Sequence, residues 1–267
     1  MEIVSFTIQK KDLEHPLKKS SKYSLEKHPI EDSFKHFVNE NVGIFAVADG
    51  ITRDPIKNSY PNPSPAKEVA DLFCKIFMKK QSLKFINQQI KKLNQEKNLN
   101  PDYLENDLWA CVGVGGVIEN YKLNYEFIGD CGVAIFDKNG NLKFKTNNEG
   151  PNSKGSIDKE IKEKYKTSFS EKKGRELIRS KYRNNPKEKL AYGALTGEKN
   201  AEHYIKKAKK NLVNGDYALF YSDGAIPIIF SDKFNIAKEF NSLERYFKKN
   251  IEKIGGAEGT LIAVKLE

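Results

Sequence analysis

Gly43-Ile-Phe-Ala-Val-Ala-Asp49-Gly50 and Tyr217-Ala-Leu-Phe-Tyr-Ser-Asp223-Gly224 share one pattern, an apolar run that stops at Asp-Gly. A short apolar run closed by a turn pair reads as a buried strand. A third run, Leu123-Asn-Tyr-Glu-Phe-Ile-Gly-Asp130, also stops at an aspartate, there preceded by glycine. An aspartate that ends a buried strand has its carboxylate at the rim of a sheet. One Asp-Gly pair would be an ordinary turn. Three such rims, with Glu31-Asp32 upstream, predict an oxygen-rich pocket suited to a hard divalent cation such as Mg²⁺ or Mn²⁺.

The remaining patterns build a scaffold around these ends. Val4, Phe6 and Ile8 alternate with polar residues as in a strand with one buried face. Residues 9–30 and 51–63 read as polar loops. Ser64-Pro65 opens a helix, serine as cap and proline at the first position, where its missing N–H costs nothing. Val69, Leu72, Phe73, Ile76 and Phe77 form its apolar stripe, and Leu83, Ile86, Ile90 and Leu93 predict a second helix. Strands are expected at 109–118 and 121–128 around a hairpin, and at 131–136 and 142–146 around Asn139-Gly140. Helical pieces are expected near 157–166 and 174–183, over Ala201–Leu212 and near 233–249. A last strand runs from Thr260 to Leu266. Hairpins interrupted by helices predict antiparallel sheets covered by helices rather than a βαβ series.

With 267 residues the chain can bury a full core, and with no Gly/Ser linker and no repeat a single domain over 1–267 is expected. The start of the chain does not read as a signal peptide, and no apolar run approaches the roughly 20 residues of a membrane span. Cys74, Cys111 and Cys131 are odd in number and widely spaced, which fits neither a disulfide framework nor a zinc site. A reduced, cytoplasmic setting without membrane contact is expected, with the chain a monomer. The net charge is +10, and residues 151–190 contribute +7 of it through 13 Lys/Arg against 6 Asp/Glu. Such a segment reads as a solvated surface or as attraction for an anionic phosphorylated substrate. It lacks a nucleic-acid motif and a stacking platform, so nucleic acid is not an expected partner.

In order along the chain, Glu31-Asp32-Ser33, Val47-Ala48-Asp49-Gly50, Ile128-Gly129-Asp130, Tyr192-Gly193-Ala194-Leu195-Thr196-Gly197, Gly215-Asp216 through Ser222-Asp223-Gly224, and Gly259-Thr260 resemble the metal-dependent type-2C (PPM) protein Ser/Thr phosphatases of the bacterial type. The resemblance spans nearly the whole chain. It implies an α+β fold, an αββα sandwich of two antiparallel sheets flanked by helices, with a flap-like basic insert at about 147–190. By position, Asp49 would bridge two metal ions and the Gly50 carbonyl would bind one of them. Glu31 and Asp223 would bind the other ion, Asp130 would help to hold a third, weaker ion, and Asp32 would support the cluster. The implied activity is hydrolysis of phosphoserine and phosphothreonine in proteins, by a water that two Mn²⁺ or Mg²⁺ ions bridge and activate. The alternative is a weak or inactive relative that binds partners.

Three departures from the family pattern bear on that activity. The phosphate-gripping arginine is Lys27, which keeps charge but loses the bidentate fork. The position after Asp49-Gly50, a histidine in eukaryotic members, is Ile51. The last metal-binding aspartate falls at Ala257, and the nearest carboxylate, Glu258, comes one place late. In extended chain that side chain is expected on the opposite face, to be brought back by its extra methylene or by a bulge.

Overall fold

The computed structural model describes residues 1–10, 29–40, 42–52, 63–97, 101–104, 106–151, 153–169 and 171–267. Its ten strands are β1 (Glu2–Gln9), β2 (Ser33–Val38), β3 (Val42–Gly50), β4 (Cys111–Glu119), β5 (Lys122–Ile128), β6 (Gly132–Phe136), β7 (Leu142–Lys145), β8 (Lys206–Asn211), β9 (Tyr217–Tyr221) and β10 (Glu258–Lys265). They form two five-stranded sheets, ordered β1-β10-β9-β6-β7 and β2-β3-β4-β5-β8. Every strand pair is antiparallel.

Three apolar layers explain why the sheets stack. Phe45, Val47, Val114 and Leu123 of the second sheet meet Val133, Phe220, Ile262 and Val264 of the first. The Phe45 and Phe220 rings stack across this interface with centroids 5.1 Å apart. On the outer face of the second sheet lie α1 (Pro65–Lys80) and α2 (Leu83–Glu96), which bury Val69, Phe73, Phe77, Ile86 and Ile90. Gly115 in β4 lets α1 approach closely, since a Cβ there would fall 2.3 Å from the Phe77 ring. On the outer face of the first sheet lie α5 (Ile226–Ile229), α6 (Ile236–Glu239) and α7 (Leu243–Lys249), which bury Ile228, Ile236, Leu243 and Phe247. The order helix, sheet, sheet, helix is the expected αββα sandwich. The insert adds α3 (Ile157–Tyr165) and α4 (Lys172–Leu177), and α4 continues into a π-helical turn at Ile178–Tyr182.

Several expectations need correction. The expected helix over Ala201–Leu212 is a short 3₁₀ turn at Lys199–Tyr204 followed by β8, whose Lys-Lys-Ala-Lys-Lys-Asn edges the second sheet. Lysines are good helix formers, but they also protect exposed sheet edges, and pairing with β5 decides the outcome here. The expected helix near 233–249 is broken into α6, a 3₁₀ turn and α7. β2 went unread because its side chains are mostly exposed and show no clean alternation. The β4–β5 hairpin turns at Asn120 and Tyr121, both at positive φ (49° and 58°), the geometry that matches strand twist. Among the described residues no helix is long and apolar enough to cross a membrane.

Candidate metal centre

Antiparallel pairing brings the predicted acids to one edge of the sandwich. Asp49 lies in the last two residues of β3, opposite Val112 of β4. Gly113 of β4 pairs with Ile128, which places the Gly129-Asp130 turn beside the same edge. Ser33 pairs with Ala48, so Glu31-Asp32 abut the Asp49-Gly50 end. In the first sheet, Asp223 follows β9 and Glu258 begins β10. Gly224 permits that crossing, because a Cβ there would fall 1.7 Å from the Glu258 carbonyl oxygen.

Hydrogen bonds hold the supporting groups. The Ser222 hydroxyl donates to Asp32 Oδ2 at 2.7 Å and accepts the Thr260 N–H at 2.9 Å, which joins the two sheets. Lys67 Nζ donates to the Asp32 carbonyl at 2.6 Å. Ser64 caps α1 by accepting the Lys67 N–H at 3.1 Å, and its hydroxyl donates to Glu31 Oε1 at 2.7 Å. The Thr52 hydroxyl donates to Glu31 Oε2. Glu258 Oε1 accepts the backbone N–H groups of Glu31 at 2.6 Å and Asp32 at 3.0 Å. The register of β10 against β1 is continuous from Gln9↔Glu258, so Glu258 makes this reach without a bulge.

The acids perturb one another strongly. Burial pushes the Asp49 carboxyl well above its ordinary range, reinforced by Asp32, Asp223, Asp130 and Glu258. Burial, then Asp130 and Asp32, raise Asp223 to about 7, while a side-chain hydrogen bond from Asp49 acts in the other direction. Glu258 rises to about 8 through burial and Asp32, and Asp32 to about 6 through burial. Burial also raises Asp130. Glu258 Oε2 is buried with no hydrogen-bond partner among the described residues. A buried carboxylate oxygen without a partner, within a group of acids that raise one another's pKa, fits a cationic occupant. In the arrangement described, no three His, Cys, Asp or Glu side chains among the described residues stand where they could jointly hold a metal ion. Binding would therefore require carboxylates to give up protons and hydrogen bonds to one another. Lys27 lies outside the described residues.

A cavity of about 550 Å³ opens beside Asp49, Gly50, Thr52 and Asp130. Arg175, Arg179 and Arg183 also line it. Lys172 and Lys173, the most obvious basic pair of the insert, are instead exposed. Arg183 makes a two-pronged bond to the fully buried Asp107, at 2.9 and 2.6 Å. Burial would raise the Asp107 carboxyl, but Arg183 and Arg179 hold it below its ordinary value. Burial pushes the Tyr192 hydroxyl up to about 12, with Arg183 and Arg179 acting against the rise and Asp107 and Asp130 adding to it. Sequence reasoning missed this arginine wall, although the spacing 175, 179, 183 was available as a signal.

No protein-family model and no curated protein sequence matches the chain. Solved structures do. The serine/threonine phosphatase PstP/Ppp of Mycobacterium tuberculosis aligns over 99% of each chain at TM-score 0.58 and 12% identity. The serine/threonine phosphatase Stp1 of Staphylococcus aureus aligns over 100% of this chain and 95% of its own at TM-score 0.54 and 14% identity. RsbX, solved in complex with magnesium, aligns over 99% of this chain and 96% of its own at TM-score 0.51 and 14% identity. The chain has the fold of these proteins, as the ordered sequence motifs implied.

Proposed function

We propose that this chain, built on the PPM Ser/Thr phosphatase fold, is a metal-dependent phosphoprotein phosphatase that acts as a single cytoplasmic domain on phosphoserine and phosphothreonine. One observation carries the reading. Asp49, Asp130, Asp223 and Glu258 come from four separate strand ends, yet Asp49 feels the charge of the other three, and Asp49 and Asp130 line one cavity. Mutual repulsion of buried carboxylates lowers stability, and a divalent cation is the simplest partner that offsets it.

Asp49, Asp223 and Glu258 Oε2 are the groups to hold the ions, with the Gly50 carbonyl, Glu31 and Asp130 completing the sites. When bound, a pair of Mn²⁺ or Mg²⁺ ions supplies an activated water near neutral pH and neutralises phosphoryl oxygens. The chain's own contribution is positional. Ser222 and Lys67 fix Asp32, Ser64 and Thr52 fix Glu31, and Glu258 Oε1 ties the backbone of both to the first sheet. Ile51 follows Asp49-Gly50, so no imidazole stands there to protonate the leaving group. A missing general acid costs roughly 10²–10⁴ in rate, which leaves slow turnover attainable.

A second reading, an inactive relative that binds phosphoproteins, is favoured by the state of Glu31, whose two carboxylate oxygens already accept from Ser64 and Thr52. Hydrolysis of a phosphothreonine peptide with and without Mn²⁺ separates the two. Turnover only with the metal supports the enzyme, and binding without turnover supports the relative.

A further inference from the structure

Backbone bonds on both sides hold Tyr192 near the acidic edge. Its N–H donates to the Tyr182 carbonyl at 3.3 Å, and its carbonyl accepts the Asn184 N–H at 2.9 Å. Leu195, three residues on, exchanges two backbone hydrogen bonds with Cys111, at 2.9 and 3.2 Å. Cys111 pairs in turn with Gly50 of β3. Gly193 packs close to the end of β5, since a Cβ there would fall 3.1 Å from Ile128 Cδ1. Asp130 follows Ile128 by two residues. The stretch from Tyr192 to Leu195 therefore runs beside the strand ends that carry Asp49 and Asp130.

Tyr192 is 7% exposed, and its ring packs with Ile157, Ile161 and Tyr182 of the insert. It also lines the cavity that Asp49, Gly50 and Asp130 line. Two hydroxyl side chains are on that lining, Thr52 and Tyr192. Thr52 already donates to Glu31. The Tyr192 hydroxyl donates to no described residue. A buried tyrosine usually gives its O–H a partner. Here the acceptor is left to whatever fills the cavity.

The other titratable groups of the lining are poor sources of a proton. Asp158 is engaged by Lys162 at 2.5 Å and by the Phe169 N–H at 2.9 Å. Asp107 engages Arg183 and Arg179, and Arg179 also donates to the Tyr103 carbonyl at 3.0 Å. A guanidinium keeps its proton at any working pH, which also sets Arg175 aside. Tyr192 is protonated at neutral pH, and the charges of Arg183 and Arg179 favour its phenolate once the proton is given up. Phosphoserine and phosphothreonine release alkoxides, which are strong bases, and Ile51 offers them no acid.

We propose that Tyr192 is a catalytic residue that donates a proton to the departing serine or threonine oxygen. The proposal rests on reading the acidic edge as the phosphatase centre. The oxygen of water bonds to phosphorus while the bond from phosphorus to the side-chain oxygen breaks, its electron pair going to that oxygen. The Tyr192 proton neutralises the oxygen as it leaves. The attacking water releases one proton to solvent, and the phenolate recovers one from solvent.

The test compares the parent, Tyr192→Phe and Tyr182→Phe with Mn²⁺, on a phosphothreonine peptide and on p-nitrophenyl phosphate, whose leaving group is a weak base that needs no acid. Tyr192→Phe is expected to lower kcat on the peptide by at least about tenfold, with KM little changed, and to change kcat on p-nitrophenyl phosphate by less than about threefold. Across a series of aryl phosphates, its kcat is expected to fall more steeply with leaving-group basicity than the parent's. Tyr182→Phe removes a hydroxyl from the same apolar cluster, one that donates to Glu160 at 2.9 Å, and is expected to leave the ratio of the two substrates as in the parent. That ratio, taken on one sample, does not depend on the fraction of protein folded. Equal losses on both substrates in Tyr192→Phe, or no loss on the peptide, overturn the proposal alone. A parent that turns over neither substrate overturns the phosphatase reading, and this proposal with it.

Discussion

The Glu258 carboxylate accepts the Glu31 backbone N–H at 2.6 Å, which ties the start of β10 in one sheet to the residues leading into β2 in the other. Its Oε1 oxygen also accepts the Asp32 N–H, while Oε2 stays buried without a hydrogen bond among the described residues. The two oxygens therefore carry separable roles.

Substitution at Glu258 separates them. Glu258→Gln keeps a carbonyl oxygen for the two N–H groups and removes the anionic oxygen. It is expected to weaken Mn²⁺ binding measurably by titration calorimetry while leaving the metal-free melting temperature at pH 7 nearly unchanged. Glu258→Ala strands two buried donors and is expected to cost about 1–3 kcal/mol in denaturant unfolding as well. If Glu258→Gln binds Mn²⁺ like the parent, Glu258 is a structural tie only.

Asp49 is pushed up by burial and then by four other acids. Asp49→Asn is expected to lower Mn²⁺-dependent hydrolysis of p-nitrophenyl phosphate by at least about two orders of magnitude, as when a principal electrostatic element is lost. The same change is expected to raise the metal-free melting temperature at pH 8, because one buried like charge is gone. Asp223→Asn is expected to behave alike. Full activity in Asp49→Asn would mean that the centre lies elsewhere.

The metal-free protein is expected to lose stability as pH rises. Asp32, Asp223 and Glu258 have folded-state values of about 6, 7 and 8, all above those of an unfolded chain. Below about pH 4 both states are protonated and the shifts cost nothing. From there to about pH 8 the folded state holds more protons than the unfolded one, so unfolding is favoured progressively. Denaturant midpoints in EDTA between pH 5 and 8.5 are expected to fall, and Mn²⁺ is expected to flatten the slope. A midpoint that rises over this range in EDTA would contradict the cluster's electrostatics.

Asp107 and Arg183 form the buried tie between the chain leading into β4 and the end of the insert. Asp107→Asn leaves a buried guanidinium unanswered and is expected to cost about 3–5 kcal/mol, with faster proteolytic cleavage within 151–190. The Asp107 carboxyl is held low, so its stabilisation is present above the ordinary aspartate range and lost as pH falls through the folded value. A loss under about 1 kcal/mol would show that the pair is not buried in solution.

Sequence alone revealed the strands that build the centre because each is an apolar run with a sharp stop. β3, β5 and β9 each stop within two residues of their aspartates for that reason. β8 was hidden because a lysine-rich hexapeptide carries no apolar period, and its structure comes from pairing with β5. The position of Glu258 followed from strand alternation only as a conflict. Its long side chain resolves the conflict by reaching the Glu31-Asp32 backbone. The basic insert was legible as charge, but not which of its charges are buried. Burial of Arg183 depends on Asp107, far away in the chain, and on a π turn that no local pattern announces.

The central claim is that the acidic cluster works as a divalent-metal phosphatase centre. Hydrolysis of p-nitrophenyl phosphate by the purified chain, with Mn²⁺ or Mg²⁺, then after EDTA, then after metal is restored, tests it most directly. The expected result is turnover with metal, loss in EDTA and recovery on re-addition, with Asp223→Asn inactive throughout. Turnover that persists in EDTA, or that Asp223→Asn retains, would contradict the account.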